Sequence, residues 1–158
     1  MLGQNFLSAD RIRCKADASS RKDALQSLSA LLATGPSKLT AAEIYGLLNE
    51  RERLGSTCLG NGVAIPHGRD AGVTEPIGAM LLLREPVEFD ASDSRAVSVL
   101  LGLLLPADSD TREVPLLARA LKLPDSLAML ERASSPDDAA AIVLSRCQAA
   151  DQETGTEQ

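Results

Sequence analysis

Aromatic residues are nearly absent from this chain of 158: Phe6, Tyr45 and Phe89 are the full set, and there is no tryptophan. A core must therefore be built from Leu, Val, Ile and Ala, and a stacking platform for single-stranded nucleic acid lacks the residues to form it. Basic charge is also in deficit. Sixteen Lys and Arg stand against 22 Asp and Glu, a net charge of −6, which argues against a surface for duplex phosphates. Long apolar runs are missing. The most apolar, 96–106, reaches about half of the ~20 residues a membrane-spanning helix needs. The N-terminal residues show no basic segment followed by an apolar one, so no secretory signal is expected. Cys14, Cys58 and Cys147 are odd in number and widely spaced and match no metal-ligand pattern. Reduced thiols in a cytoplasmic protein without metal are the expectation. No Gly-Lys-Ser/Thr triplet occurs, so no P-loop holds a nucleotide, and the carboxylates show no metal-site spacing. No cofactor is expected.

What is present suits one folded domain. The chain is 44% hydrophobic and 24% charged, and a domain of this size buries roughly 70% of its unfolded surface. The expected domain covers 1–148. Residues 149–158 form an acidic tail, with Asp151, Glu153 and Glu157 against no basic residue. Without those three charges the body carries −3. The tail is expected to be disordered.

Residues 11–16 alternate, with Ile12, Cys14 and Ala16 placed on one face of a short strand. Ser20-Arg-Lys-Asp23 reads as a capping box opening a helix to Ala33, and Gly35-Pro36 stops it. Thr40-Ala-Ala-Glu43 opens a second helix that faces Ile44, Leu47 and Leu48 inward and ends at Gly55. Gly60-Asn-Gly62 then signals a turn into a short strand, Val63-Ala-Ile65, which Pro66 ends or leaves at an edge. The continuous apolar runs 77–83 and 96–105 read as central strands, which requires helices on both faces of the sheet. Val87 to Phe89 forms a further short strand. A helix is expected from Ser109-Asp-Thr111 with Pro115 in its first turn, a short one near 127–132, and a last one capped by Ser135-Pro-Asp-Asp138. The fold class expected is an α/β sandwich in one domain.

His67 is the only histidine. An unperturbed imidazole titrates at about 6.5, so it is the first candidate for chemistry near neutral pH. It follows Pro66, which fixes its backbone at the exit of a strand. Just upstream, Leu54-Gly-Ser-Thr-Cys-Leu-Gly-Asn-Gly62 gathers three glycines and two hydroxyls. Glycines let backbone N–H groups converge on an anion, and Ser56 and Thr57 can donate to phosphate oxygens. Arg51, Arg53 and Arg69 supply cations nearby. Such a set suits a histidine that accepts a phosphoryl group from another phosphorylated protein.

The stretch Arg51-Glu-Arg-Leu-Gly-Ser-Thr-Cys-Leu-Gly-Asn-Gly-Val-Ala-Ile-Pro-His67-Gly-Arg69 resembles the signature of the bacterial phosphotransferase system enzyme IIA of the mannitol/fructose type, nearest its nitrogen-regulatory branch. The similarity continues through Pro86-Val-Glu-Phe-Asp90 and Leu103-Leu-Leu-Pro-Ala-Asp108. The resemblance implies a mixed central sheet between helical layers. It implies that His67 is phosphorylated by a histidine phosphocarrier protein, itself charged by a phosphoenolpyruvate-dependent first enzyme, with Arg51, Ser56 and Thr57 beside the ring. In that branch the protein regulates target proteins according to its phosphorylation state.

The resemblance departs at two places. Glu113 stands where the family usually has a second histidine. A carboxylate there either repels a phosphoryl group or accepts a hydrogen bond that fixes the ring's tautomer, and Arg112 could offset its charge. Cys58 replaces a more usual glycine and reads as a small residue that fits. Two other readings stand beside the phosphoryl carrier: a docking protein of the same fold that no longer cycles phosphate, and a sugar-specific enzyme IIA that feeds a transporter IIB domain. The acidic body leads to the expectation that the donor presents arginine or lysine around its own histidine.

Overall fold

A computed structural model describes residues 6–89, 96–110 and 112–156, with side chains described as far as residue 152. Asp90, Thr111 and the last two tail residues, among the features named above, lie outside it. After a 3-10 turn at Ala9–Arg11 the elements are β1 (Ile12–Ala16), α1 (Arg21–Leu32), α2 (Ala41–Leu54), β2 (Val63–Ala64), β3 (His67–Asp70), β4 (Ile77–Val87), β5 (Val97–Pro106), α3 (Glu113–Lys122), α4 (Ser126–Glu131) and α5 (Pro136–Thr156).

The two apolar runs are the centre of the sheet. β4 and β5 pair antiparallel, from Ile77↔Leu104 to Val87↔Val97. β5 is buried at every position up to Leu105, as a strand covered on both faces must be. β1 lies parallel to β4 on one side, and β2 and β3 lie parallel to β5 on the other. The five-stranded sheet is mixed. One face carries Met80, Leu82, Leu101 and Leu103 against α3, α4 and α5. The other carries Ile77, Leu81, Leu100 and Leu104 against α1 and α2. The expected sandwich with helices on both faces is the fold.

Several local features differ from the sequence reading. Ala16 does not share a face with Ile12. Lys15 takes a left-handed conformation (φ +51°) where the pairing with β4 slips by a residue, so Ala16 sits opposite Leu83 while Ile12 sits opposite Met80. Such a bulge sends the following side chain to the other face, and Ala16 joins the α1/α2 core. Val87 belongs to β4, and Phe89 lies beyond that strand with its ring buried. Helix α3 begins at Glu113, later than expected, with Pro115 in its first turn. The boundary expected at 148 falls within α5, which continues to Thr156, and Ala150 is buried in the core.

Helices α1 and α2 start at side-chain caps. The Ser20 hydroxyl accepts the Asp23 N–H, and at α2 both arms of the Thr40/Glu43 capping box are made. Helix α2 is tied closely to β3 because Gly68 has no side chain. A Cβ there would lie 3.0 Å from Leu47 Cβ. That approach brings the end of α2 alongside His67.

Candidate phosphoryl-acceptor site

His67 opens β3, opposite Leu103 of β5, so it is held by a strand rather than left at the exit of one. Pro66 supplies the ladder with its carbonyl, which accepts the Leu103 N–H at 2.9 Å. β2 and β3 are one edge line of the sheet, with register carried through from Val63↔Val99 to His67↔Leu103. A proline is tolerated at such an edge.

The imidazole is half-buried, and its Nδ1 lies 2.8 Å from the Ile65 carbonyl. A carbonyl can only accept, so Nδ1 carries the proton and Nε2 keeps a free lone pair. Burial pushes the ring below its ordinary pKa of 6.5. The Ile65 hydrogen bond and the charge of Glu52 raise it, while Arg51 and Arg69 lower it further. The ring is therefore neutral at pH 7, as a nucleophile requires.

His67, Arg51 and Arg69 line one open cleft of about 610 Å³, with Leu47, Leu54 and Ala107 on its wall. Arg51 is in the last turn of α2, where a cation suits the helix dipole, and its Nη1 donates to the Gly55 carbonyl at 2.9 Å. Arg69 donates to the Ser109 carbonyl at 3.3 Å, tying β3 to the loop after β5. Arg53 is paired with Glu50 at 2.8 Å on the exposed side of α2.

Ser56, Thr57 and Glu113 are not on that cleft wall. Ser56 is exposed, and its hydroxyl accepts the Cys58 N–H at 3.2 Å. The Thr57 hydroxyl donates to the Glu52 carboxylate, and both residues are buried. Glu113 is half-buried at the start of α3, and its Oε2 is enclosed without a hydrogen-bond partner. Gly60 and Gly62 take positive φ (+91° and +88°) in the tight turn before β2. There the Gly62 carbonyl accepts the Ser98 and Val99 N–H groups. Along the edge line that turn lies about 16 Å from His67 at ~3.3 Å per residue. These two glycines shape the turn and do not cradle an anion on the ring. Cys58 is half-buried and bridged through its backbone to Ala64.

Sequence reasoning missed Glu52 and the Ile65 carbonyl. Glu52 left a trace: it continues the buried α2 positions Ile44 and Leu48 at intervals of four, a charged residue where an apolar one belongs. A backbone carbonyl leaves no trace in sequence.

Among the described residues no helix is long and apolar enough to cross a membrane, and no group of three or more His, Cys, Asp or Glu could hold a metal ion. Residues 5–146 match the family model for the phosphoenolpyruvate-dependent sugar phosphotransferase system, EIIA 2. A nitrogen regulatory protein of Pseudomonas aeruginosa is 34% identical over 139 residues, 88% of this chain and 90% of that protein. The crystal structure of nitrogen regulatory protein IIA-Ntr from Neisseria meningitidis superposes with a TM-score of 0.81 at 36% identity, covering 87% of this chain and 96% of that one. IIA mannitol from Escherichia coli shares the fold, with a TM-score of 0.75 at 20% identity over 87% of this chain and 98% of its own. With its histidine, its edge strand and its helical layers arranged as described, the chain belongs to the EIIA 2 family of the phosphoenolpyruvate-dependent sugar phosphotransferase system.

Proposed function

We propose that this chain is a phosphoryl carrier of the nitrogen-regulatory kind, accepting a phosphoryl group on Nε2 of His67 from a histidine phosphocarrier protein. The observation that carries the reading is the Nδ1–H···O=C bond to Ile65, which leaves Nε2 unprotonated in a ring that burial keeps neutral. The Nε2 lone pair attacks phosphorus in line. The bond from phosphorus to the donor's nitrogen breaks, and its electron pair stays on that nitrogen. The acceptor ring then carries phosphoryl on Nε2 and a proton on Nδ1. Its positive charge is met by the Ile65 carbonyl, and the phosphoryl oxygens are met by Arg51 and Arg69 across the cleft.

A protein donor fits the cleft better than a small molecule does. It is open, and its wall includes Leu54, which is 85% exposed, an apolar contact that a docking protein would cover. The net acidity of the chain does not extend to this rim, where Arg51 and Arg69 outnumber Glu50. Recognition of the donor is thus set by these local charges rather than by the net charge. The name nitrogen regulatory protein carried by relatives supports an output in regulation, through partners that distinguish the two phosphorylation states. No resident cofactor takes part, and a cytoplasmic setting supplies the donor.

The test is intact mass after incubation with phosphoenolpyruvate, the first enzyme and the phosphocarrier. Wild type is expected to gain one acid-labile phosphoryl group, and His67→Ala none. A wild-type protein left unmodified by a demonstrably charged donor would show a docking protein instead.

A further inference from the structure

Glu52 is buried to all but 8% of its surface, yet only one of its carboxylate oxygens is bonded. The other, Oε2, is enclosed with no hydrogen-bond partner. A buried carboxylate so poorly served destabilises the fold, and a leucine would continue the apolar stripe of α2. A residue that weakens its own packing invites a reason in the site beside it.

That reason lies in a line of hydrogen bonds. Glu52 accepts the Thr57 hydroxyl. The Thr57 carbonyl accepts the Ile65 N–H at 3.1 Å, and the Ile65 carbonyl accepts His67 Nδ1–H at 2.8 Å. The links meet at Thr57 and at Ile65, so they act by fixing the position of each residue. We propose that Glu52 is a positioning residue for His67: by anchoring Thr57 it fixes the backbone of Ile65, and through the Ile65 carbonyl it fixes which ring nitrogen is free to take the phosphoryl group. The inference rests on the phosphoryl-carrier reading for its purpose but not for its geometry. Charge adds to position. Arg51 and Glu52 on α2 and Arg69 on β3 act on the ring, with Glu50 also on the cleft wall. Glu52 is the charge that favours a positive ring, the form the imidazole takes once Nε2 is phosphorylated.

Two variants separate the parts. Glu52→Gln keeps an acceptor for Thr57 and removes the charge. Glu52→Ala removes both. Because His67 is the only histidine, one set of ¹⁵N imidazole signals reports its tautomer and titration without any phosphoryl donor. Glu52→Gln is expected to stay in the Nδ1–H tautomer, to titrate at lower pH than wild type, and to accept phosphoryl several-fold more slowly. Glu52→Ala is expected to show mixed tautomers and a rate reduced about tenfold or more. A wild-type titration in Glu52→Gln, or a pure Nδ1–H tautomer in a folded Glu52→Ala, would overturn the proposal. If Glu52→Ala does not fold, Thr57→Val, which removes the anchored hydroxyl, decides in its place: mixed tautomers are expected, and a pure Nδ1–H tautomer would overturn the proposal. The two readings fail separately: shifted ring signals in a protein that never takes phosphoryl would sink the carrier and spare Glu52, whereas normal transfer with unshifted signals would do the reverse.

Discussion

β4 and β5 share a sheet with the edge line of β2 and β3, but the two regions are made differently. The central strands are buried from Ile77 to Leu83 and from Val97 to Leu105 and hold their place by burial on both faces. The edge line contains a proline, a half-buried histidine and a glycine in succession. It is held by register to β5, by the close approach of Leu47 to Gly68, and by the carbonyls of Ile65 and Pro66. The centre provides stability with no special chemistry. The edge buries Val63, Ala64 and Ile65 as the centre does, then turns polar from His67, whose Nδ1–H is taken by the Ile65 carbonyl. The phosphoryl exchange with another protein proposed above calls for a histidine at such an edge, not in the buried centre.

Substitutions that act on one region and spare the other would sharpen that contrast. Leu100→Ala, deep in the α1/α2 core, is expected to cost about 2–5 kcal/mol in urea unfolding while leaving the His67 titration of the folded protein unchanged. Gly68→Ala and Gly62→Ala form a pair along the edge. The first places a Cβ against Leu47. It is expected to cost about 1–3 kcal/mol and to slow phosphoryl acceptance, because α2 and Arg51 must shift. The second strains a left-handed turn (φ +88°) at a cost of about 1–2 kcal/mol, with the acceptance rate of the folded protein preserved. Loss of transfer in Gly62→Ala would return the turn to the site.

The smallest expected effect is on pH dependence. The folded His67 pKa lies below 6.5, so acceptance should be flat through neutrality and decline only on the acid side of 6.5. Stability follows the same sign. The unfolded chain takes up this proton at the ordinary pKa and the folded protein resists it. The contribution of His67 is therefore complete above 6.5 and is lost as pH falls through the folded value. In His67→Gln that segment of the stability curve should flatten.

The centre was far more legible in the sequence than the edge. Apolar runs and capping residues announced β4, β5, α1, α2 and α5 because burial and orphan N–H groups act locally. The slip at Lys15 was not legible, since it depends on how β1 meets β4 across the sheet. Nor was the burial of Arg11, whose guanidinium donates to the Gly78 and Phe6 carbonyls. At the site, His67 and Arg51 could be named from residue type and neighbourhood. Three matters depended on which backbone groups lie opposite one another, and no spacing encodes that. They are the commitment of Thr57 to Glu52, the distance of the Gly60–Gly62 turn, and the partner of Nδ1.

The most direct test of the central claim is the ¹⁵N–¹H spectrum of the imidazole after phosphorylation by the charged phosphocarrier. With a single histidine it reads the modified nitrogen without ambiguity. Phosphoryl on Nε2 with the Nδ1 proton retained is the expected result. Phosphoryl on Nδ1, or an unmodified ring beside a charged donor, would contradict the role assigned to the Ile65 carbonyl.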